Sequence, residues 1–98
     1  MRHEAHMTFP EADAAMVKAI SEQFPHWKFS VIHGCPLLGL DKTYCYLTAY
    51  DPEAGAPLVW EMDEMAVVAA GYGIPVLRKK VERIVYDTKT GVDELFGE

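Results

Sequence analysis

Apolar and polar side chains alternate residue by residue along residues 43–50. Alternation of this kind places successive side chains on opposite faces of a β-strand. One face of the predicted strand carries Cys45, Leu47 and Ala49, which are small or apolar and suit a core. The other face carries Tyr44, Tyr46, Thr48 and Tyr50. The tyrosine set predicts a surface that is either covered by another element or used for binding.

Two further segments predict strands. Residues 26–34 and residues 57–62 have aromatic or aliphatic side chains at every second position. Residues 51–55 contain aspartate, proline and glycine, a composition typical of a turn. Because short connections make successive strands antiparallel neighbours, the three strands predict a meander.

Helical spacing is found on both sides of these strands. In residues 8–24 apolar side chains recur every three or four residues, with Pro10 near the start and Pro25 after the end. Residues 63–70 predict a second helix, and a third is expected from Pro75 to residue 86 or 88. The last segment also fits a strand, since it is rich in β-branched residues, but we favour the helix.

These elements predict an α+β fold in the order α-β-β-β-α-α. Helices packed on one face of a three-stranded antiparallel meander would bury one face of each strand. We expect residues 1–7 to be a disordered leader, residues 8–91 a single domain and residues 92–98 an acidic tail. The expected core is Trp27, Phe29, Val31, Cys45, Leu47, Leu58 and Trp60. The other sheet face is expected to carry Lys28, Ser30, Ile32, Val59 and Glu61 beside the tyrosines.

The composition of the 98 residues, half apolar and about a quarter charged, is that of one globular domain. The sequence contains no apolar run of the ~18 residues that a membrane span needs. The first residues lack the apolar stretch of an export signal, so we expect a cytoplasmic protein with reduced cysteines.

The net charge of −6 is unevenly distributed. Between residues 43 and 77 there are five acidic residues and no lysine or arginine. The five are Asp51, Glu53, Glu61, Asp63 and Glu64. Direct nucleic-acid binding is therefore not expected, because it requires clustered cations. An acidic surface does permit a basic protein partner.

The tyrosine face and the acidic segment together suggest a small non-enzymatic protein-interaction module. Tyrosine provides a large amphipathic contact area and is enriched at interfaces, although it also suits an ordinary half-exposed strand. The partner would be another protein or a second copy of the chain. The predicted partner-binding residues are Tyr44, Tyr46, Tyr50, Asp51, Glu53, Glu61, Asp63 and Glu64.

Two alternatives remain open. The acidic run also fits an inhibitor, of the phage or mobile-element type, that mimics nucleic acid and occupies the basic groove of a nucleic-acid-binding protein. The second alternative is a thiol- or metal-dependent enzyme at His33, Cys35 and Cys45, because a nearby imidazole can activate a thiol. The close cysteine pair usual in zinc sites is missing, and buried structural cysteines are common. We therefore predict neither a metal, nor a cofactor, nor catalysis.

Overall fold

The computed structural model describes residues 2–51 and 55–84, which form four strands, a 3-10 helix and two α-helices. In chain order the elements are β1 (Arg2–Pro10), the 3-10 helix (Glu11–Asp13), α1 (Ala14–Ser21), β2 (Lys28–Cys35), β3 (Gly39–Asp51), α2 (Ala56–Gly71) and β4 (Arg78–Ile84). No helix within the described ranges is long and apolar enough to cross a membrane.

The four strands form one sheet in the order β2-β3-β1-β4, and every neighbouring pair is antiparallel. β2 and β3 form a hairpin, whereas each helix connects two strands that are not neighbours. This β-α-β-β-α-β arrangement is known as ferredoxin-like. Because it supports many unrelated functions, the fold alone does not identify an activity.

Both helices pack on the same face of the sheet. The strand register places Met7 of β1 opposite Leu47 of β3, and Leu47 opposite Phe29 of β2. These side chains share a core with the inner faces of both helices. The helical members of the core are Val17, Ile20, Leu58, Met62, Met65 and Ala69. Since burial of each large apolar side chain contributes about 1.5–3 kcal/mol, the layer between helices and sheet is the main source of stability.

The sequence predicts the α+β class and the antiparallel sheet correctly, but the predicted number and order of strands are wrong. Residues 2–7 belong to β1 rather than to a leader. Ala5, Met7 and Phe9 alternate with more polar side chains and are buried in the core. The first helix, predicted for residues 8–24, is correct only over α1. Residues 8–10 belong to β1 and residues 11–13 form the 3-10 helix.

Residues 57–62 begin α2 and do not form the predicted third strand. A proline occupies the first turn of α2, where its missing N–H costs no hydrogen bond. Leu58, Met62 and Met65 recur at helical spacing and are all buried. The predicted second helix is the continuation of this one, so α2 is twice as long as the sequence pattern suggests.

The predicted third helix is also wrong, because residues 78–84 form β4 and pair with β1. The strand alternative for this segment is therefore correct. Of the predicted core, Trp27, Cys45, Leu47 and Leu58 are buried and Phe29 is half-buried, whereas Val31 and Trp60 are exposed. The predicted acidic tail, residues 92–98, lies outside the described residues.

Candidate binding site on the uncovered sheet face

The sheet face opposite the helices carries every second residue of all four strands. The register places Tyr46 of β3 between Ser30 of β2 and Thr8 of β1, with Arg78 of β4 next to Thr8. No helix in residues 2–51 or 55–84 packs on this side, which we call the uncovered face. The predicted neighbours of the tyrosines that do lie here are Lys28, Ser30 and Ile32.

The three tyrosines share this face but differ in burial. Tyr44 is only 6% exposed, and its hydroxyl lies close to Gly39. A side chain at position 39 would place its Cβ 2.9 Å from the Tyr44 Oη. Tyr46 is half-buried, and Tyr50 is 48% exposed with the Arg2 guanidinium 5.0 Å from its ring centroid. Only Tyr46 and Tyr50 therefore have surface available to a partner.

The predicted acidic residues of α2 do not lie on the uncovered face. Glu61, Asp63 and Glu64 belong to α2, in the helix layer, as does Val59, so none of them extends the uncovered face. Glu61 accepts a hydrogen bond from the Trp27 indole N–H at 3.3 Å. The Asp63 carboxylate lies 3.7 Å from the Lys79 ammonium. Asp51 ends β3 and lines a concavity together with Tyr50 and Glu61, so the structure brings these three predicted residues together. Glu53 lies outside the described residues.

The uncovered face is more basic than the chain as a whole. Among the paired residues of the four strands it holds four cations and two carboxylates, in a chain of net charge −6. The cations are Arg2, Lys28, Arg78 and Lys80, and the carboxylates are Glu4 and Glu82. The strands of the sheet thus separate a basic surface from the acidic outer surface of α2.

A cavity of about 290 Å³ lies on this face, between the turn that follows β2 and the beginning of β4. Its polar lining consists of His6, Thr8, Tyr46, Thr48, Arg78 and Lys80, to which Cys35 adds a thiol. Ile32 and Pro36 complete the wall. The size suits a small molecule, and convergent polar groups on a partly apolar wall are typical of ligand sites.

A wider concavity of about 620 Å³ lies near Tyr44 and Leu77. It is lined by Glu11, Asp41 and Lys42, so its one cation faces two carboxylates. With one positive and two negative side chains in its lining, the wider concavity attracts an anionic ligand less than the cavity beside Cys35 does.

A backbone irregularity directs Cys35 into the smaller cavity. On β2 the even-numbered residues up to Ile32 lie on the uncovered face, so strict alternation would place Cys35 on the helix side. The register shifts between His33 and Cys35, and Gly34 takes a φ of +87°, which glycine adopts at little cost. This β-bulge turns the thiol to the opposite face, a role that bulges often have beside functional sites.

Several donors surround the Cys35 sulfur. The backbone N–H of Leu37 is the main cause that lowers the pKa of the Cys35 thiol, and burial opposes it. The Leu38 N–H, the Tyr46 side chain and the Arg78 charge lower this pKa further. Burial, followed by the contact with Cys35, raises the pKa of Tyr46, which keeps its hydroxyl protonated as a donor.

The cations and the imidazole in the cavity differ in how far they are already paired. Lys80 forms an ion pair with Glu82, and the Lys80 ammonium lowers the pKa of that carboxyl. His6 contacts Thr48 Oγ1 through Nδ1 at 3.1 Å and Glu4 Oε1 through Nε2. Arg78 is half-buried, and no carboxylate in the described part of the chain pairs with it. Arg78 is therefore the cation best placed to receive an external anion.

His33, Cys35 and Cys45 do not meet. Cys45 lies in the core, with its Sγ 3.3 Å from the Pro10 carbonyl oxygen, and burial raises the pKa of its thiol to about 11. His33 is exposed and its Nδ1 lies 2.9 Å from Thr43 Oγ1. Within residues 2–51 and 55–84 no three histidine, cysteine or acidic side chains are grouped to hold a metal ion. The alternative in which these three residues form one site is therefore contradicted by their positions.

The chain matches no protein-family model, no curated protein and no solved structure.

Sequence reasoning misses His6, Thr8, Arg78 and Lys80, which supply most of the cavity's polar lining. A signal for two of them is present, because polar residues alternate with Ala5, Met7 and Phe9 in β1. In β4 the one apolar residue before the last position is Val81, so the strand has no periodic apolar face. That strand is recognisable only once its partner β1 is known.

Proposed function

We propose that this protein is an interaction module whose uncovered sheet face binds an acidic surface of a partner protein. The observation that carries the proposal is the excess of cations on this face within an acidic chain. Complementary charge across an interface guides association and sets orientation. The acidic residues of α2 lie in the other layer and are not assigned to this interface.

Apolar and aromatic contact area on the same face supports the proposal. Ile32 is 51% exposed and Tyr50 is about half exposed. Tyr46 is half-buried and lines the cavity together with Ile32. Interfaces combine a central aromatic or aliphatic contact with a polar rim. Tyr46 and Ile32 would provide the centre, and Lys28 and Lys80 the rim.

A protein partner is favoured over a nucleic acid. Sheet tyrosines can stack on bases and cations can bind phosphates. However, Glu4 and Glu82 lie among the cations of this face, and the whole chain is acidic. A polyphosphate backbone would meet repulsion from both, whereas a protein surface can present a lysine or a hydrogen-bond donor to each carboxylate.

Two matched double variants test the proposal. Arg78→Gln with Lys80→Gln removes two positive charges from the uncovered face. Lys79→Gln with Arg83→Gln removes two charges from the same strand, at alternate positions that lie on the helix side. Wild type and both variants are immobilised, exposed to a cell extract and washed at increasing salt. Any retained protein is then purified and its affinity is measured by calorimetry.

The expected result is a partner that binds wild type and the Lys79/Arg83 variant, but binds the Arg78/Lys80 variant roughly five- to thirtyfold more weakly. That range corresponds to two charge pairs of about 0.5–1 kcal/mol each. Equal binding by both variants would contradict the assignment of the face. A partner retained independently of salt, or a wild-type protein that captures nothing and stays monomeric in sedimentation, would also contradict it.

A further inference from the structure

The cavity beside Cys35 combines a thiol, the Arg78 guanidinium and several hydrogen-bond donors. We propose that Cys35 is the nucleophile of a site for small anionic electrophiles, in which Arg78 binds the anionic group. This inference goes beyond the binding of a partner protein. The small molecule would occupy the cavity itself, although Ile32, Tyr46 and Lys80 of the cavity lining also belong to the proposed interface.

The position of the thiol is the first argument. A cysteine that only fills space would follow the strand alternation into the core, as Cys45 does. The bulge at Gly34 instead brings Cys35 to the uncovered face and the cavity wall. A Cβ at Gly34 would lie 3.2 Å from the Leu40 carbonyl oxygen, and φ at this residue is positive. The local backbone therefore depends on glycine, and it places the side chain of Cys35, which is 6% exposed, at the wall of the cavity.

The surroundings of the sulfur are the second argument. Tyr46 and Arg78 line the same cavity as Cys35. The backbone N–H of Leu37 is the main cause that lowers the pKa of the Cys35 thiol, and the Tyr46 side chain lowers it further. Arg78 adds a positive charge on the same side. Donors and cations around a cysteine stabilise the thiolate, which is the nucleophilic form. The lowered pKa of Cys35 has these same contacts as its causes.

The anion preference is the third argument. The half-buried guanidinium of Arg78 has no carboxylate partner among residues 2–51 and 55–84. A guanidinium binds a carboxylate or phosphate through two parallel hydrogen bonds. Thr8 and Thr48 add hydroxyl donors, and Lys80 adds a second positive charge. A cavity of about 290 Å³ limits the ligand to a small molecule.

The proposed reaction is a nucleophilic substitution. The Cys35 thiol first loses its proton to solvent. The thiolate sulfur then attacks an electrophilic carbon of the bound molecule, forming a C–S bond. The bond from that carbon to its leaving group breaks, and the leaving group departs with the electron pair. With iodoacetate as the probe, the products are S-carboxymethylcysteine at position 35 and iodide.

Iodoacetate and iodoacetamide provide a matched pair of reagents, because they differ in charge but hardly in size. The alkylation rates of native protein by each reagent are measured at one pH, and mass spectrometry of peptides assigns the modified cysteine. The ratio of the iodoacetate rate to the iodoacetamide rate is compared with the same ratio for an unstructured cysteine peptide. This comparison cancels steric access and thiolate fraction.

We expect Cys35 to favour iodoacetate over iodoacetamide by about tenfold more than the peptide does, the effect of one charge-assisted hydrogen bond. Arg78→Gln should return the ratio to that of the peptide, whereas Lys79→Gln should leave it unchanged, because Lys79 contacts Asp63 on the opposite side. Tyr46→Phe should shift the pH–rate profile of Cys35 to higher pH without changing the ratio. Cys45 should stay unmodified in all four native proteins.

Three results would overturn the proposal. The first is a Cys35 that reacts no faster than Cys45 in the native protein. The second is a rate ratio equal to that of the peptide. The third is an equal change in the ratio for Arg78→Gln and Lys79→Gln, with circular dichroism showing both variants folded. None of these results depends on whether a partner protein exists.

Discussion

Replacing Tyr44 with serine should destabilise the protein far more than replacing Tyr50 with serine. Both tyrosines lie on the uncovered face of β3, but Tyr44 is 6% exposed and Tyr50 is 48% exposed. Truncation of a buried aromatic side chain typically costs about 3–5 kcal/mol. Tyr50 mainly loses its contact with the Arg2 guanidinium, and such a contact at an exposed site contributes about 0.5–1 kcal/mol.

Thermal unfolding followed by circular dichroism measures the difference. For a domain of this size, each kcal/mol lowers the melting temperature by about 4–8 °C. Tyr44→Ser should therefore melt at least about 12 °C below wild type, and Tyr50→Ser no more than about 8 °C below. Since small domains have a total stability of about 5–15 kcal/mol, the Tyr44 variant can lose a large part of it.

Tyr44→Phe is the control, because it keeps the ring and removes only the hydroxyl that crosses Gly39. It should cost about 1.5 kcal/mol or less, the usual range for a single hydrogen bond. Equal melting temperatures for Tyr44→Ser and Tyr50→Ser would refute the reasoning, and so would a Tyr44→Phe variant as unstable as Tyr44→Ser. If the reasoning holds, only Tyr46 and Tyr50 can be substituted to test partner binding.

Other consequences concern the core and the buried cysteine. Leu47 is buried and Leu40 is exposed. In urea unfolding, Leu47→Ala should therefore lower the free energy of unfolding by about 2–5 kcal/mol, and Leu40→Ala by under about 0.5 kcal/mol. Similar losses for the two variants would contradict the placement of β3. Trp60 is 69% exposed and Trp27 is buried. Trp60→Phe should therefore remove the tryptophan fluorescence that acrylamide quenches and leave the blue-shifted emission of Trp27. Emission that acrylamide quenches as strongly as in wild type would contradict the orientation of α2. The pKa of Cys45 is raised to about 11, so the native thiol stays protonated where the unfolded thiol ionises, from about pH 9.0. Wild type should thus lose up to roughly 2–3 kcal/mol of stability as the pH rises from 9.0 to 11, and Cys45→Ala should lose less. If the free energies of unfolding of the two proteins fall in parallel with pH, this prediction is contradicted.

The alternation along residues 43–50 is sufficient to predict β3 and the division between its two faces. Cys45, Leu47 and Ala49 face the core as predicted, and the tyrosines face away from it. The same periodicity places Lys28 and Ile32 of β2 correctly. These parts are predictable because a strand with one buried face repeats its pattern every two residues regardless of its partners.

The errors in the predicted fold have two causes. Residues 57–62 are too few to separate a short strand from the start of a helix, since Leu58 and Met62 fit both patterns. β4 lies at the edge of the sheet and exposes much of its surface, so it has weak periodicity of its own. Its strand conformation depends on pairing with β1, 70 or more residues away in the sequence. Without β1 as its partner, the segment of β4 has no pattern that favours a strand, and a helix is predicted instead.

The candidate site is less predictable than the fold because it depends on these non-local pairings. Arg78 and Lys80 reach the uncovered face only if their segment is a strand in the register observed. Cys35 reaches it only because the bulge at Gly34 reverses the alternation of β2. A glycine before a cysteine in the sequence does not by itself predict a bulge, since glycine also ends strands.

The separation of charge between the two layers determines how salt should affect the cavity. An anion in the cavity is attracted by nearby Arg78 and Lys80 but repelled by the net charge of −6. The molecule is 18 Å across its shortest axis, so much of the repulsion acts over more than the ~10 Å screening length at 0.1 M salt. Raising salt from about 0.01 M, where this length is ~30 Å, should first weaken the repulsion and increase the iodoacetate preference of Cys35. At about 1 M, where the length is ~3 Å, the local attraction is screened as well and the preference should fall. A preference that only decreases over the whole range would mean that the net charge is not felt at the cavity.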